Sequence, residues 1–177
     1  IRFQTFLHLL FVSLILGLLA TPVEAAFLDR VGTRPLGMGG AFVAVADGTC
    51  ATMWNPAGLA QMKQTEIVAD YTALYTGLGE DRLGRAYIGY MFPLRGSGAL
   101  GINYIRFQSP LYRENTIALS YSRRLRFLYL GLNAKGLFAN FVENEYTKID
   151  PLFHNNGLMA KGFCIDLGLL LIARDAF

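Results

Sequence analysis

Residues 114–124 read Glu-Asn-Thr-Ile-Ala-Leu-Ser-Tyr-Ser-Arg-Arg, and their alternation decides the fold. Ile117, Leu119 and Tyr121 fall on one side of an extended chain, while Glu114, Thr116, Ala118, Ser120 and Ser122 fall on the other. Side chains in a strand point to opposite faces with a period of two, so this is a strand with one oily face and one small, polar face. The same period recurs on both sides of it. Residues 65–76 align Ile67, Ala69, Tyr71, Ala73 and Tyr75, and residues 83–93 align Ala86, Ile88, Tyr90 and Phe92. Residues 98–108 set Leu100, Ile102 and Tyr104 against Ala99, Gly101 and Asn103. Residues 127–141 set Leu128, Leu130, Leu132 and Ala134 against Tyr129, Gly131, Asn133 and Lys135. Residues 161–172 set Ile165, Leu167, Leu169 and Leu171 against Asp166 and Gly168.

Six strands of about 10–15 residues are long for an ordinary sheet, where about 5–6 is usual, and suit a tilted crossing of a bilayer, which takes about 9–11. The expected fold is therefore all-β, an antiparallel up-and-down transmembrane β-barrel with lipid on the oily side and an enclosed lumen on the small, polar side. The alternative is a soluble sandwich that buries the oily faces against each other. Connections at 94–97 and 125–126 are short, and those at 77–82, 109–113 and 142–160 are longer. This asymmetry matches short periplasmic turns and long external loops. It predicts Tyr75 and Tyr104 at the outer interface and Phe92 and Tyr121 at the inner one. Single-chain barrels have at least eight strands, so further strands are expected beyond Phe177.

Composition agrees. Only 16% of residues are charged and 53% are hydrophobic, with mean hydropathy +0.35, greasier than most soluble domains. Yet beyond the N-terminus no run is long and apolar enough for a spanning helix. The net charge is +3 with its basic residues scattered, which gives no nucleic-acid patch. Cys50 and Cys164 could pair in an oxidising compartment, but two cysteines so far apart in sequence define no disulfide framework and read better as two unrelated buried thiols.

The first 25 residues read as an export signal. Arg2 precedes the apolar run FLHLLFVSLILGLLA at 6–20, Thr21-Pro22 ends it, and Val23-Glu24-Ala25 suits cleavage after Ala25. An uncleaved anchor is the alternative. The chain opens on Ile1 rather than Met.

Residues 26–64 lack a long alternating run and are rich in Gly and Ala, and they are expected to form an N-terminal plug, with residues 65–177 forming the first part of the barrel. Gly37, Gly39 and Gly40 permit close packing or positive φ. The glycines lack the spacing of a nucleotide loop. The stretch Ala41–Asp47 fits a short buried strand or helix. Asn55-Pro56 favours an extended or turn conformation at Asn55. Arg34, Asn55, Pro56 and Ala57 are the candidate plug residues, and Arg34 is expected to pair with a lumen carboxylate such as Asp70 or Asp166.

The run Arg34-Pro35-Leu36-Gly37-Met38-Gly39-Gly40-Ala41-Phe42-Val43-Ala44-Val45-Ala46-Asp47, followed by Trp54-Asn55-Pro56-Ala57-Gly58-Leu59, resembles the start of mature FadL-type outer-membrane proteins, nearest to the PorV/PorQ branch. The Asn-Pro-Ala triplet is similar to one in the FadL hatch. The stretches Tyr146–Phe153 and Gly162–Gly168 also look PorV-like, whereas Gly48-Thr49-Cys50 departs from the pattern. The resemblance implies a barrel of about fourteen strands in the bacterial outer membrane, filled by a hatch. Two functions follow from it. One is a passive channel for hydrophobic small molecules, in which Leu74, Ile105 and Phe107 on the lumen side could line a ligand cleft or simply pack. The other is a component of a type IX-like protein secretion system, in which the 142–160 loop with Tyr146, Phe153 and His154 would meet a secreted cargo protein. The mature chain has one histidine, His154, no nucleophile with a base at a recognisable spacing and no metal-ligand pattern. It is therefore not expected to be an enzyme or to hold a cofactor.

Overall fold

The computed structural model of the chain describes residues 31–74, 76–77, 83–96, 98–149 and 158–172, apart from the Tyr146 side chain. The signal segment 1–25, residues 26–30, Tyr75, and Phe153 and His154 of the long loop lie outside the described residues.

Six strands form one sheet: β1 Glu66–Leu74, β2 Leu83–Leu94, β3 Gly98–Gln108, β4 Tyr112–Leu125, β5 Leu128–Phe141 and β6 Met159–Leu171. Their spatial order is their sequence order, and each neighbouring pair is antiparallel. This is an all-β up-and-down sheet. Among the described residues no helix is long and apolar enough to cross a membrane, which says nothing about crossing by strands.

The register lets the two faces be read across the sheet. Leu100, Tyr121, Leu132 and Leu167 form one cross-strand row, and Ile102, Leu119, Ala134 and Ile165 the next. All the large members of these rows are exposed, with Leu167 84% and Ile165 58% accessible. We call this the apolar face. On the reverse, Gly101, Ser120, Asn133 and Asp166 make one row, and Ala99, Ser122, Gly131 and Gly168 the next. Ala99, Ser120, Ser122 and Asn133 there are fully buried. The exposed face is thus inverted relative to a protein in water, where large apolar side chains leave the surface, while the covered face sets its small and polar groups among buried Tyr87, Met91 and Ile105.

What buries the small, polar face is the chain from Val31 to Met62. It contains two short helices, α1 Thr33–Gly37 and α2 Ala51–Trp54, and a 3₁₀ helix at Pro56–Gln61. The stretch Ala41–Asp47 is neither strand nor helix. It runs through successive turns in which Val45 and Ala46 amides both donate to the Phe42 carbonyl, and Ala46 adopts φ 38°. Gly39 and Gly40 do take positive φ (65° and 84°), but Gly37 does not and has open space beside it. Its expected conformational role is therefore not met. A third helix, α3 Glu145–Ile149, lies in the long connection after β5.

The connection between β3 and β4 is shorter than the sequence suggests, because β4 begins at Tyr112 and not at Glu114. Ser109 closes it: its amide and its hydroxyl both donate to the Tyr112 carbonyl. The turns at 95–96 and 126–127 share the other end of the sheet, and Arg126 adopts φ 58° to make its turn.

Candidate functional site

The meeting of the N-terminal segment with the sheet is built around Asn55. Its extended backbone (φ −160°) lets the side-chain oxygen accept from the Ala57 amide at 3.2 Å, which caps the 3₁₀ helix that Pro56 starts. The side-chain nitrogen then donates two ways, to the Val43 carbonyl at 3.0 Å and to the Leu169 carbonyl of β6 at 3.1 Å. One amide thus ties together a turn, a helix start and a strand.

The Asn-Pro-Ala backbone can come that close because the wall has no side chains there. A Cβ on Gly131 would overlap the Pro56 carbonyl carbon and the Ala57 amide nitrogen, and one on Gly168 would overlap the Asn55 side-chain oxygen. Gly131 and Gly168 are cross-strand partners, so together they make a flat berth for three residues. Gly101 plays the same part for Thr52 and Leu59, as Gly89 does for Thr49. Within the segment, Gly58 lies so close to the Ala46 carbonyl that no Cβ would fit. The alternation marks the small residues of β2, β3, β5 and β6 as one face. Alternation alone does not show that their glycines carry the N-terminal segment, although glycine at the same face of neighbouring strands is the signal for close backbone approach.

Beside the berth lies a polar chain on the wall. Ser120 Oγ donates to Asn133 Oδ1 at 2.8 Å, and Asn133 Nδ2 donates to the Thr52 carbonyl at 2.8 Å and to Asp166 Oδ2 at 3.2 Å. Lys135 Nζ reaches the same Asp166 oxygen at 2.9 Å, and Cys164 Sγ donates to Asp166 Oδ1 at 3.4 Å. Burial strengthens such bonds and makes an unmade one costly, so Asn133 holds Thr52 against the wall as Asn55 holds Val43 and Leu169 together.

Arg34 does not pair with Asp70 or Asp166 as expected. Its Nη1 lies 2.6 Å from Asp47 Oδ1, and its guanidinium sits 5.7 Å over the Phe42 ring. The turns at 38–46 bring Asp47 back beside α1, while Asp166 is engaged by Lys135. Both partners of the Arg34 pair are largely exposed (59% and 43%), so the pair contributes little to stability. Trp54 anchors the segment to itself, donating from Nε1 to the Val31 carbonyl at 2.9 Å and meeting Phe42 edge-on at 6.2 Å.

Of the residues suggested as a ligand lining, Ile105 is fully covered by Val31 and Tyr87. Phe107 is half-buried between Tyr112 at 6.4 Å and the Arg85 guanidinium at 5.7 Å, and Leu74 is half-buried at the end of β1. Space instead flanks the N-terminal segment on both sides. A cavity of about 470 Å³ lies toward β1, walled by Phe42, Met62, Val68 and Asp70. Another of about 430 Å³ lies toward β6, walled by Trp54, Asn55, Lys135 and Asp166. Cys50 faces the first, where burial, with Asp70 and Glu66 adding, pushes its thiol up from 9.0 to about 11. Cys50 and Cys164 are not joined in a disulfide. Among the described residues no three His, Cys, Asp or Glu side chains gather as a metal site.

Set against known protein families, curated proteins and solved structures, the chain matches none of them.

Proposed function

We propose that the chain is part of a FadL/PorV-type outer-membrane β-barrel. In this reading residues 31–62 are its hatch, and the whole protein passes hydrophobic small molecules across the bacterial outer membrane. The observation that carries the reading is the inverted sheet. Isolated apolar side chains on a surface need no explanation, but Ile67, Ile102, Ile117, Leu132, Ile165 and Leu167 form an unbroken exposed apolar face. Hydrocarbon is the solvent that such a face suits. The covered face supports the hatch: its glycines and hydrogen-bonding groups fit residues 31–62, and cavities remain on either side for a solute to use.

The test is uptake of an apolar solute by liposomes holding the full-length protein. Faster uptake than by empty liposomes is expected, and faster still in Asn55→Ala, which loosens the hatch. Uptake equal to that of empty liposomes counts against the channel. A second reading is a docking platform for secreted cargo. It draws on Ile149 of α3, 81% exposed, and Leu111, 60% exposed, both at the end of the sheet with the long connections. If cargo docks there, Ile149→Asp lowers its binding and leaves solute uptake alone.

A further inference from the structure

The apolar face carries a groove that differs from the rest of it at one end. It lies across β4, β5 and β6, encloses about 610 Å³ and is walled by Tyr121, Leu130, Leu132, Leu167 and Leu169. Gly131 and Gly168 also line it, and Arg123 is its one charged wall. Arg123 pairs in register with Gly98 and Leu130, next to the tight turn that joins β4 and β5. It is exposed, and no carboxylate partners it among the described residues.

Arg123 is not alone there. Arg95 stands in the neighbouring turn, Arg126 in the turn after β4, and Lys63 just before β1, all exposed. Glu66 is the one strand carboxylate at that end among the described residues, and Asp47 of the N-terminal segment, which shares a cavity with Glu66, is paired with Arg34. The opposite end mixes signs, with Arg106, Arg113, Lys148 and Lys161 among Glu114, Glu143 and Glu145. The sheet thus has a strongly basic end where its turns are short, and the groove leads from that end into apolar surface.

We propose that this groove binds an anionic phospholipid, its phosphate on Arg123 and its acyl chain along Tyr121, Leu132 and Leu167. The proposal rests on the barrel reading, which turns this face toward lipid. Complementarity argues for the occupant. A guanidinium presents a donor fork matched to phosphate oxygens, and it is a weakly hydrated cation that tolerates the edge of a hydrocarbon layer. The aliphatic and aromatic walls suit a flexible hydrocarbon chain, and Arg95 and Arg126 on either side add attraction to an anionic headgroup layer. An acidic protein would satisfy the arginines but would leave the groove walls bare.

The test uses the full-length protein in nanodiscs of phosphatidylcholine, or of phosphatidylcholine mixed equally with phosphatidylglycerol. Insertion is read by circular dichroism, and retained lipid by native mass spectrometry after release. Phosphatidylglycerol is expected to be kept over phosphatidylcholine by about 5-fold or more, since one basic side chain at an anionic surface is worth about that factor. Arg123→Gln should remove this preference and Arg123→Lys should keep most of it. Arg106→Gln, on the same face at the other end, should leave it intact. Normal insertion with no preference, or a preference indifferent to Arg123→Gln, overturns the lipid site while the barrel reading stands. Failure to insert into either disc overturns both.

Discussion

Replacing Asn55 by alanine is the sharpest probe of how the N-terminal segment is held. The side chain is 6% exposed and makes three hydrogen bonds, to Ala57, Val43 and Leu169. A net ~1 kcal/mol for each, with two carbonyls left short of a donor, gives a cost of ~2–4 kcal/mol. That range corresponds to about a 30- to 900-fold shift toward the undocked segment. Trp54 is the only tryptophan in the chain and stands next to the altered residue, so its emission reports docking directly. In micelles titrated with urea, the Asn55→Ala protein should show red-shifted, more quenchable Trp54 fluorescence at urea concentrations where circular dichroism still records an intact sheet. Asn55→Asp keeps the oxygen that accepts from Ala57 but turns a carboxylate toward two carbonyl oxygens, so it should undock at least as readily. A midpoint shift worth less than ~0.5 kcal/mol in both variants would refute the claim that this amide is the fastening.

Gly131→Ala should cost ~1–3 kcal/mol in the same titration because its Cβ meets backbone, whereas Gly162→Ala, whose Cβ comes no nearer than 3.7 Å to Leu137, should be close to neutral; equal effects would remove the berth. Ile102→Arg, midway along β3 on the apolar face, should destabilise the protein folded in a bilayer by ~2–4 kcal/mol, and a shift under ~0.5 kcal/mol would mean that this face meets water. With its thiol raised from 9.0 to about 11, Cys50 should be alkylated about 100-fold more slowly at pH 8 in the folded Cys164→Ser protein than in the unfolded chain; the rate should climb as pH rises toward 11, and a folded rate within about 5-fold of the unfolded one would contradict its buried setting.

The strands were legible because a period of two survives any reasonable choice of end residues. Most face assignments along β2, β3, β4 and β5 agree with observed exposure, although Arg85 and Ala86, and Ala134 and Lys135, are alike half-buried, and β3 keeps its expected limits of Gly98 and Gln108. The Ser109 hairpin was harder to read, since Tyr112 and Arg113 resemble loop residues until Phe141 and Asn140 pair with them. The N-terminal segment has no period at all. Its path is set by turns such as that at Ala46 and by surfaces far off in sequence, so Arg34 could be recognised as a pairing residue while its partner Asp47 could not. Asn55, Pro56 and Ala57 do meet the wall together, but only three-dimensional proximity reveals Gly131 and Gly168 as their counterparts.

The span of the Asn55 amide also constrains the order of assembly. Each strand meets its sequence neighbour, so the sheet can grow hairpin by hairpin with little loop entropy to overcome. Asn55, by contrast, must wait for Leu169, 114 positions later, and Thr52 for Asn133, 81 positions later. Seating of the first segment is therefore a late event, completed only once the sixth strand is laid down. A chain truncated before Leu169 would own its hairpins and still carry an unlatched beginning.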